Sequence, residues 1–191
     1  MKNKTFFSWL FNPFTYIAGG KALIIGLCIQ LLTVFIGNMT GSHFDGAIDL
    51  HVGGKTTLLN DFYMWGISVI TLILVLYISG LILIKNFRFI DLAGTVLLSR
   101  TPFFFMVILA FFVEFPTKEA ILTNPLSILS NIPFLIFASL SFFVLIWTVI
   151  LLFNAYKIST GLTTSKAVVS LIIAIIIAEV ISKILIFFMM K

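Results

Sequence analysis

Long apolar runs alternate with short polar breaks along this chain, and the runs have the length of membrane spans. About 20 apolar residues in helical form cross the roughly 30 Å of hydrocarbon in a bilayer. Five stretches reach or approach that length: about 22–38, 62–84, 92–113, 132–155 and 167–190. The first is short unless it borrows residues ahead of Lys21. The breaks carry sensible helix signals. Pro133 falls in the first turn of the fourth span, where its missing N–H costs nothing. Thr163, Thr164 and Ser165 offer N-cap hydroxyls to the fifth. Pro102 lies inside the third span and predicts a kink, or a later start of that helix.

The polar and mixed segments complete the outline. Residues 6–17 contain Phe6, Phe7, Trp9, Phe11, Phe14 and Tyr16 around Asn12-Pro13. Such side chains settle at the headgroup level, which predicts a short interfacial helix. The longest polar stretch, Met39 to Asp61, holds Asp45-Gly46 followed by Ile48, Leu50 and Val52 at alternate positions, the pattern of a small hairpin. A second stretch, Glu114 to Asn131, has Pro116 and Pro125 around Ala120-Ile121-Leu122 and is expected to lie partly in the interface. No linker, low-complexity run or fixed-period repeat divides the chain. The fold expected is an all-α membrane protein, a bundle of five transmembrane helices forming one domain over 1–191.

Composition agrees. Of 191 residues 61% are hydrophobic and only 10% are charged, whereas a soluble domain carries about 25% charged residues. There is too little polar surface to wet a globule of this size. The net charge of +5 forms no basic stripe, so it does not point to nucleic acid. It sorts by topology instead. With the N-terminus inside, the cytoplasmic side holds Lys2, Lys4, Lys21, Lys85, Arg88, Lys157 and Lys166, and the outside holds Lys55, Lys118 and Lys191. Cytoplasmic loops retain positive charge, so five spans place the C-terminus outside. Lys2 and Lys4 ahead of apolar residues also fit a signal peptide. However, Pro13, Gly19, Gly20 and Lys21 interrupt the run without a small-x-small site, so the first span is expected to be retained. The single Cys28 excludes a disulfide framework and reads as a small buried hydrophobe.

Candidate chemistry is sparse. His43, Asp45, Asp49 and His51 are metal-ligand types within nine residues of one loop, but their spacing fits no zinc-finger or zincin pattern, and a solvated loop accounts for them. Gly53-Gly54-Lys55-Thr56-Thr57 lacks the earlier glycine of a phosphate-binding loop, with Asp49 in its place. Ionisable residues inside spans weigh more, because each is costly in hydrocarbon and should face a partner or a polar cavity. These are Arg100, Glu179 and Lys183. Glu179 and Lys183 share a helix face at i and i+4. Glu179 lies 13 residues past Lys166, about 20 Å along the axis and just past mid-membrane. Arg100 reaches it if the third and fifth spans are neighbours. Two readings of this set stay open: an ion pair that fixes packing, or a polar site for an ion, a proton or a lipid headgroup. Ser99, Thr101, Ser139, Ser141, Trp147, Thr148 and Asn154 either line such a site or bond across helices. Hydrolysis inside the membrane needs a histidine base beside a nucleophile or two carboxylates together. Both histidines lie in a loop and no span holds two carboxylates, so no enzyme and no cofactor are expected.

Three stretches resemble the Yip family of Ypt/Rab-interacting membrane proteins, in its prokaryotic branch. They are the aromatic segment with Asn12-Pro13-Phe14, the run from Asp91 through Gly94 and Arg100 to Pro102, and Trp147 through Tyr156 with Ser165-Lys166-Ala167. The resemblance implies a compact five-helix domain that organises membranes through protein partners, which in eukaryotes are Rab-type GTPases and other family members. This chain lacks the long soluble N-terminal region of that branch, which speaks against GTPase binding. It implies a bacterial inner-membrane protein whose partners are membrane lipids and another membrane protein or a second copy. The alternative is a small transporter or channel using Arg100, Glu179 and Lys183.

Overall fold

The computed structural model describes residues 6–190, with the backbone alone at 118, 120, 121, 125 and 127. Lys2, Lys4 and Lys191, counted for topology above, lie outside the described residues, as do the side chains of Lys118, Ala120 and Ile121. Five helical stretches are long and apolar enough to cross a membrane. They are α2 (Gly19–Thr40), α3 (Leu58–Leu83), a broken third stretch (Phe89–Phe112), α7 (Ile132–Thr160) and α8 (Thr164–Met189). The third stretch consists of α4 (Phe89–Ser99), α5 (Pro102–Leu109) and a final 3-10 turn (Ala110–Phe112). A short α1 (Phe6–Phe11) precedes them, and α6 (Lys118–Thr123) with a 3-10 turn (Pro125–Ser130) fills the second polar segment. There Leu122, Leu126 and Leu129 are exposed.

The first span does extend past Lys21, to Gly19, which restores a membrane-crossing length. Its C-terminus closes on Gly41 in the left-handed conformation (φ 69°), as α7 closes on Gly161 (φ 70°); glycine takes that conformation without a Cβ penalty. Thr57 caps α3 by accepting from the Asn60 N–H at 3.3 Å, and Asn131 caps α7 by accepting from the Phe134 N–H at 3.1 Å. The expectation for α8 needs correction. Thr163 is its N-cap residue but makes no side-chain cap, and the Thr164 hydroxyl instead accepts from Lys157 Nζ at 2.8 Å. Pro102 breaks the third span as expected: the helix stops at Ser99 and restarts at Pro102.

Helix α2 packs most closely on α4, α8 on α3, and α7 on α4. The α2–α4 contact is backbone against backbone. A Cβ on Gly94 would lie 2.5 Å from the Gly19 carbonyl oxygen, and one on Gly26 would lie 2.7 Å from the Leu98 nitrogen. Small residues at such crossings are what lets membrane helices gain van der Waals contact where no hydrophobic force separates lipid from protein. The main core joins Leu72, Leu76, Leu92, Val96, Leu152 and Tyr156. Large apolar side chains such as Ile24, Ile70, Ile82, Phe143, Ile176 and Phe188 are exposed on outer faces. So is Cys28. The buried face of α2 runs through Ala22, Gly26, Gln30, Thr33, Val34 and Gly37, and position 28 falls off that helical stripe. The expectation of a buried cysteine is therefore corrected.

Between α2 and α3 the chain forms a two-stranded antiparallel hairpin, β1 (Ser42–Phe44) and β2 (Leu50–Val52), pairing Ser42 with Val52, His43 with His51 and Phe44 with Leu50. The hairpin foreseen in this segment is present, with residues 45–49 as its connection. Gly53 and Gly54 both donate their N–H to the Gly41 carbonyl, at 3.0 and 3.1 Å, which ties the end of β2 back to the cap of α2.

Candidate functional site: a polar centre closed by the hairpin

The hairpin tip is buried: Phe44 is 2% exposed and Ala47 is fully covered. What it meets is the set of ionisable residues from the spans. Arg100 stands at the break between α4 and α5 and is 0% exposed. Its Nη1 donates to the Ala47 carbonyl at 2.9 Å. The Ile48 N–H donates to Glu179 Oε2 at 3.1 Å. These two contacts use one peptide unit, because Ala47 C=O and Ile48 N–H flank the same bond. In a trans peptide they point in opposite directions, so the peptide dipole runs between the carboxylate and the guanidinium with each end facing its complementary charge. The sequence reading made a direct Arg100–Glu179 contact conditional on the third and fifth spans being neighbours. Among the described residues no ion pair joins them, since the hairpin fills the space between α8 and the α4–α5 break.

Glu179 continues the network through Lys183 at 3.4 Å, and Lys183 pairs with Asp49 at 2.8 Å. Four charges thus alternate in sign from Arg100 to Asp49, with the hairpin supplying a peptide in the middle and a carboxylate at the end. Arg100 also lies over the Phe44 ring, 4.4 Å from its centroid, and 5.8 Å from that of Phe103. Cation–π attraction of this sort is strongest when desolvated. It matters here because Arg100 Nε and Nη2 have no hydrogen-bond partner among the described residues. Gly46 is the residue that lets the carboxylate settle. A Cβ there would stand 2.0 Å from Glu179 Oε1.

The remaining polar residues serve other purposes. Ser99 donates to Val96 O at 2.7 Å, Thr101 to Leu98 O at 2.6 Å and Thr148 to Val144 O at 2.9 Å. Ser139 and Ser141 likewise donate to carbonyls of their own helix, at 2.9 and 2.7 Å. Trp147 and Asn154 form a second cluster on α7, which clamps the N-terminal segment. Trp147 Nε1 donates to Leu10 O at 2.8 Å and Asn154 Nδ2 to Phe11 O at 2.9 Å. Phe14 then buries itself against Ala22, Leu98, Leu151 and Ala155, and Trp9 stacks on Tyr16 at 4.7 Å.

The four metal-ligand types in the loop do not converge. Asp49 is paired with Lys183, the Asp45 N–H donates to Asp49 O across the tip at 3.2 Å, and among the described residues no three His, Cys, Asp or Glu side chains gather at one point. His43 and His51 do meet across the strands, with ring centroids 5.2 Å apart. Burial first and the neighbouring His51 second hold the His43 imidazole below its ordinary pKa of 6.5, with Asp61 and Asp45 opposing.

Two groups were missed by sequence reasoning. Asp61, 3% exposed, accepts from Asn38 Nδ2 at 2.7 Å and from the Thr56 hydroxyl, joining the ends of α2 and α3. Its position in the first turn after Thr57 was the available signal. Gln30, fully buried, accepts from Trp65 Nε1 at 3.4 Å; an amide in the middle of an apolar run was legible and was passed over. Set against known proteins, the chain matches no protein-family model, no curated protein and no solved structure.

Proposed function

We propose that this chain is a non-enzymatic multi-pass protein of the Yip-like type in a bacterial inner membrane, with its N-terminus cytoplasmic and its C-terminus outside. It acts in membrane organisation by binding a membrane-protein partner, a second copy of itself, or lipid. One observation carries this reading: Arg100 and Glu179 are each tied to the hairpin backbone, and Glu179, Lys183 and Asp49 are paired with one another. A transport path would need polar groups facing each other along its length, whereas the Ser99, Thr101, Ser139, Ser141 and Thr148 hydroxyls donate to nearby carbonyls of their own stretch. Thr95 and Ser159, which meet across α4 and α7 at 2.8 Å, use each other and the Asp91 carbonyl. The Yip reading rests on the Asn12-Pro13-Phe14 segment and the two further motifs of the sequence.

The test is native mass spectrometry of the protein released gently from its own membrane. A stoichiometric protein partner or a defined homo-oligomer is the expected result, and a lone monomer that keeps no lipid counts against the proposal. A second reading, a small transporter or channel, draws on a cleft of about 370 Å³ that Glu179 and Asp49 line together with Phe103, Phe137 and Ser141. Ion or solute flux into proteoliposomes that disappears in Glu179→Ala would establish that reading in place of the first.

A further inference from the structure

Between the C-terminal end of α3 and the N-terminal end of α8 runs an open groove of about 500 Å³. Small side chains make its floor, Ser79 from α3 and Ser170 from α8, and Ile82, Val169 and Ile173 make its walls. Ser170 is already satisfied by the Lys166 carbonyl at 2.6 Å, so the lane is effectively apolar. It ends on Ser165 and Lys166. Lys166 makes no ion pair among the described residues, and the first turn of α8 around it has no side-chain cap. An apolar lane that terminates on an unpaired cation has the form of a chain with an anionic head.

The charge around the groove decides which amphiphile fits. At this end of the bundle α2, α4 and α8 begin and α3 and α7 finish, bringing Lys21, Lys85, Arg88, Lys157 and Lys166 together. The acid described at this end is Asp91, and it already pairs with Arg88 at 3.8 Å. A second copy of the chain would have to offer Lys166 a free carboxylate at the same depth, and the described residues of this end hold none. We propose that the groove is a binding site for an anionic phospholipid, with an acyl chain along Ile82, Val169 and Ile173 and the phosphate held by Lys166 Nζ and the Ser165 hydroxyl. This deepens the reading above by naming one partner, and it rests on that reading only for placement in a membrane.

The experiment uses the full chain in nanodiscs of equal phosphatidylglycerol and phosphatidylcholine, with retained lipid counted by native mass spectrometry as the disc is stripped. The wild type is expected to keep one phosphatidylglycerol. A basic residue at an anionic surface contributes on the order of 1 kcal/mol, so Lys166→Gln should weaken retention about fivefold and Lys166→Glu more. Val169→Trp, which fills the groove from an exposed wall, should also expel the lipid. Lys21→Glu makes the same charge change as Lys166→Glu at the same end on α2, away from the groove, and should retain the lipid. Thermal unfolding run in parallel confirms that each variant is folded. Equal retention of both lipids by the wild type, or equal loss in Lys21→Glu and Lys166→Glu, overturns the site in favour of general surface charge. Partner capture plays no part in this readout, so the organising role and the lipid site fail independently.

Discussion

At the scale of single residues, the polar centre depends on Gly46 as much as on its charges. The Glu179 carboxylate occupies the volume a Cβ would need, 2.0 Å from Oε1. Gly46→Ala is expected to destabilise by about 1–3 kcal/mol through overpacking. Glu179→Ala removes the acceptor of the Ile48 N–H and should cost about 1–3 kcal/mol in its own right. Because the two changes share one contact, their effects should be clearly less than additive, with a coupling of roughly 0.5–3 kcal/mol in a double-mutant cycle measured by thermal unfolding. Strict additivity would show that the carboxylate does not sit against Gly46. His43 supplies a separate, pH-dependent handle. Its folded pKa lies below 6.5, from burial and from His51, so the unfolded chain binds the proton more readily. Stability is then unpenalised above about pH 6.5 and falls as the pH drops from there through the folded value. The unfolding midpoint should be lower at pH 5 than at pH 8, and His43→Phe should reduce that difference. An unchanged difference in His43→Phe would assign the pH dependence to other groups.

At the scale of elements, the N-terminal segment is held by two side-chain donors on α7 and by one buried aromatic. Trp147→Phe and Asn154→Ala each delete a hydrogen bond to the α1 backbone worth about 1 kcal/mol. In the double variant, amide exchange should accelerate across residues 6–17 while the spans keep wild-type protection. Uniform acceleration across the spans would mean that the clamp belongs to the core rather than to this segment. The sequence made the spans plain because their signal is local: apolar length, a proline at 102 that removes an N–H, and alternation after Asp45-Gly46. The Trp147 and Asn154 contacts were not legible, since they join residues 137 and 143 positions apart, and nothing in the pattern near Asn154 specifies its partner. The same limit applies at the centre. Composition singled out Arg100, Glu179 and Lys183 as expensive in hydrocarbon, but charge alone favoured a direct Arg–Glu contact. The answer was a backbone peptide, a partner that every residue carries and that sequence therefore cannot flag. At Thr163 the N-cap residue was legible but its side-chain cap is not made, and the neighbouring Thr164 hydroxyl serves Lys157.

At the scale of the whole molecule, the two ends of the bundle differ in charge, and that difference argues for an orientation. The end with the α2, α4 and α8 N-termini gathers Lys21, Lys85, Arg88, Lys157 and Lys166 against Asp91. The opposite end carries Asp45, Asp49, Asp61, Glu114 and Glu119, with Lys55, Lys118 and Lys183 among them. Short loops rich in Lys and Arg are retained in the cytoplasm during insertion, and the connections at the first end, 84–88 and 161–163, are short. The N-terminal segment should therefore be cytoplasmic and Met190 should face outward. An alkaline phosphatase fused after residue 191 is expected to be active and a green fluorescent protein in the same place dark, with the fluorescent fusion at the N-terminus bright. The inverse pattern would reject this orientation. It would also turn the cationic end, and with it the groove ending on Lys166, away from the anionic cytoplasmic leaflet. Replacing Lys21, Lys85, Arg88, Lys157 and Lys166 together by Gln should yield a mixed population in the same fusion assay, because the bias that orients five spans would then be gone while every apolar run remained intact.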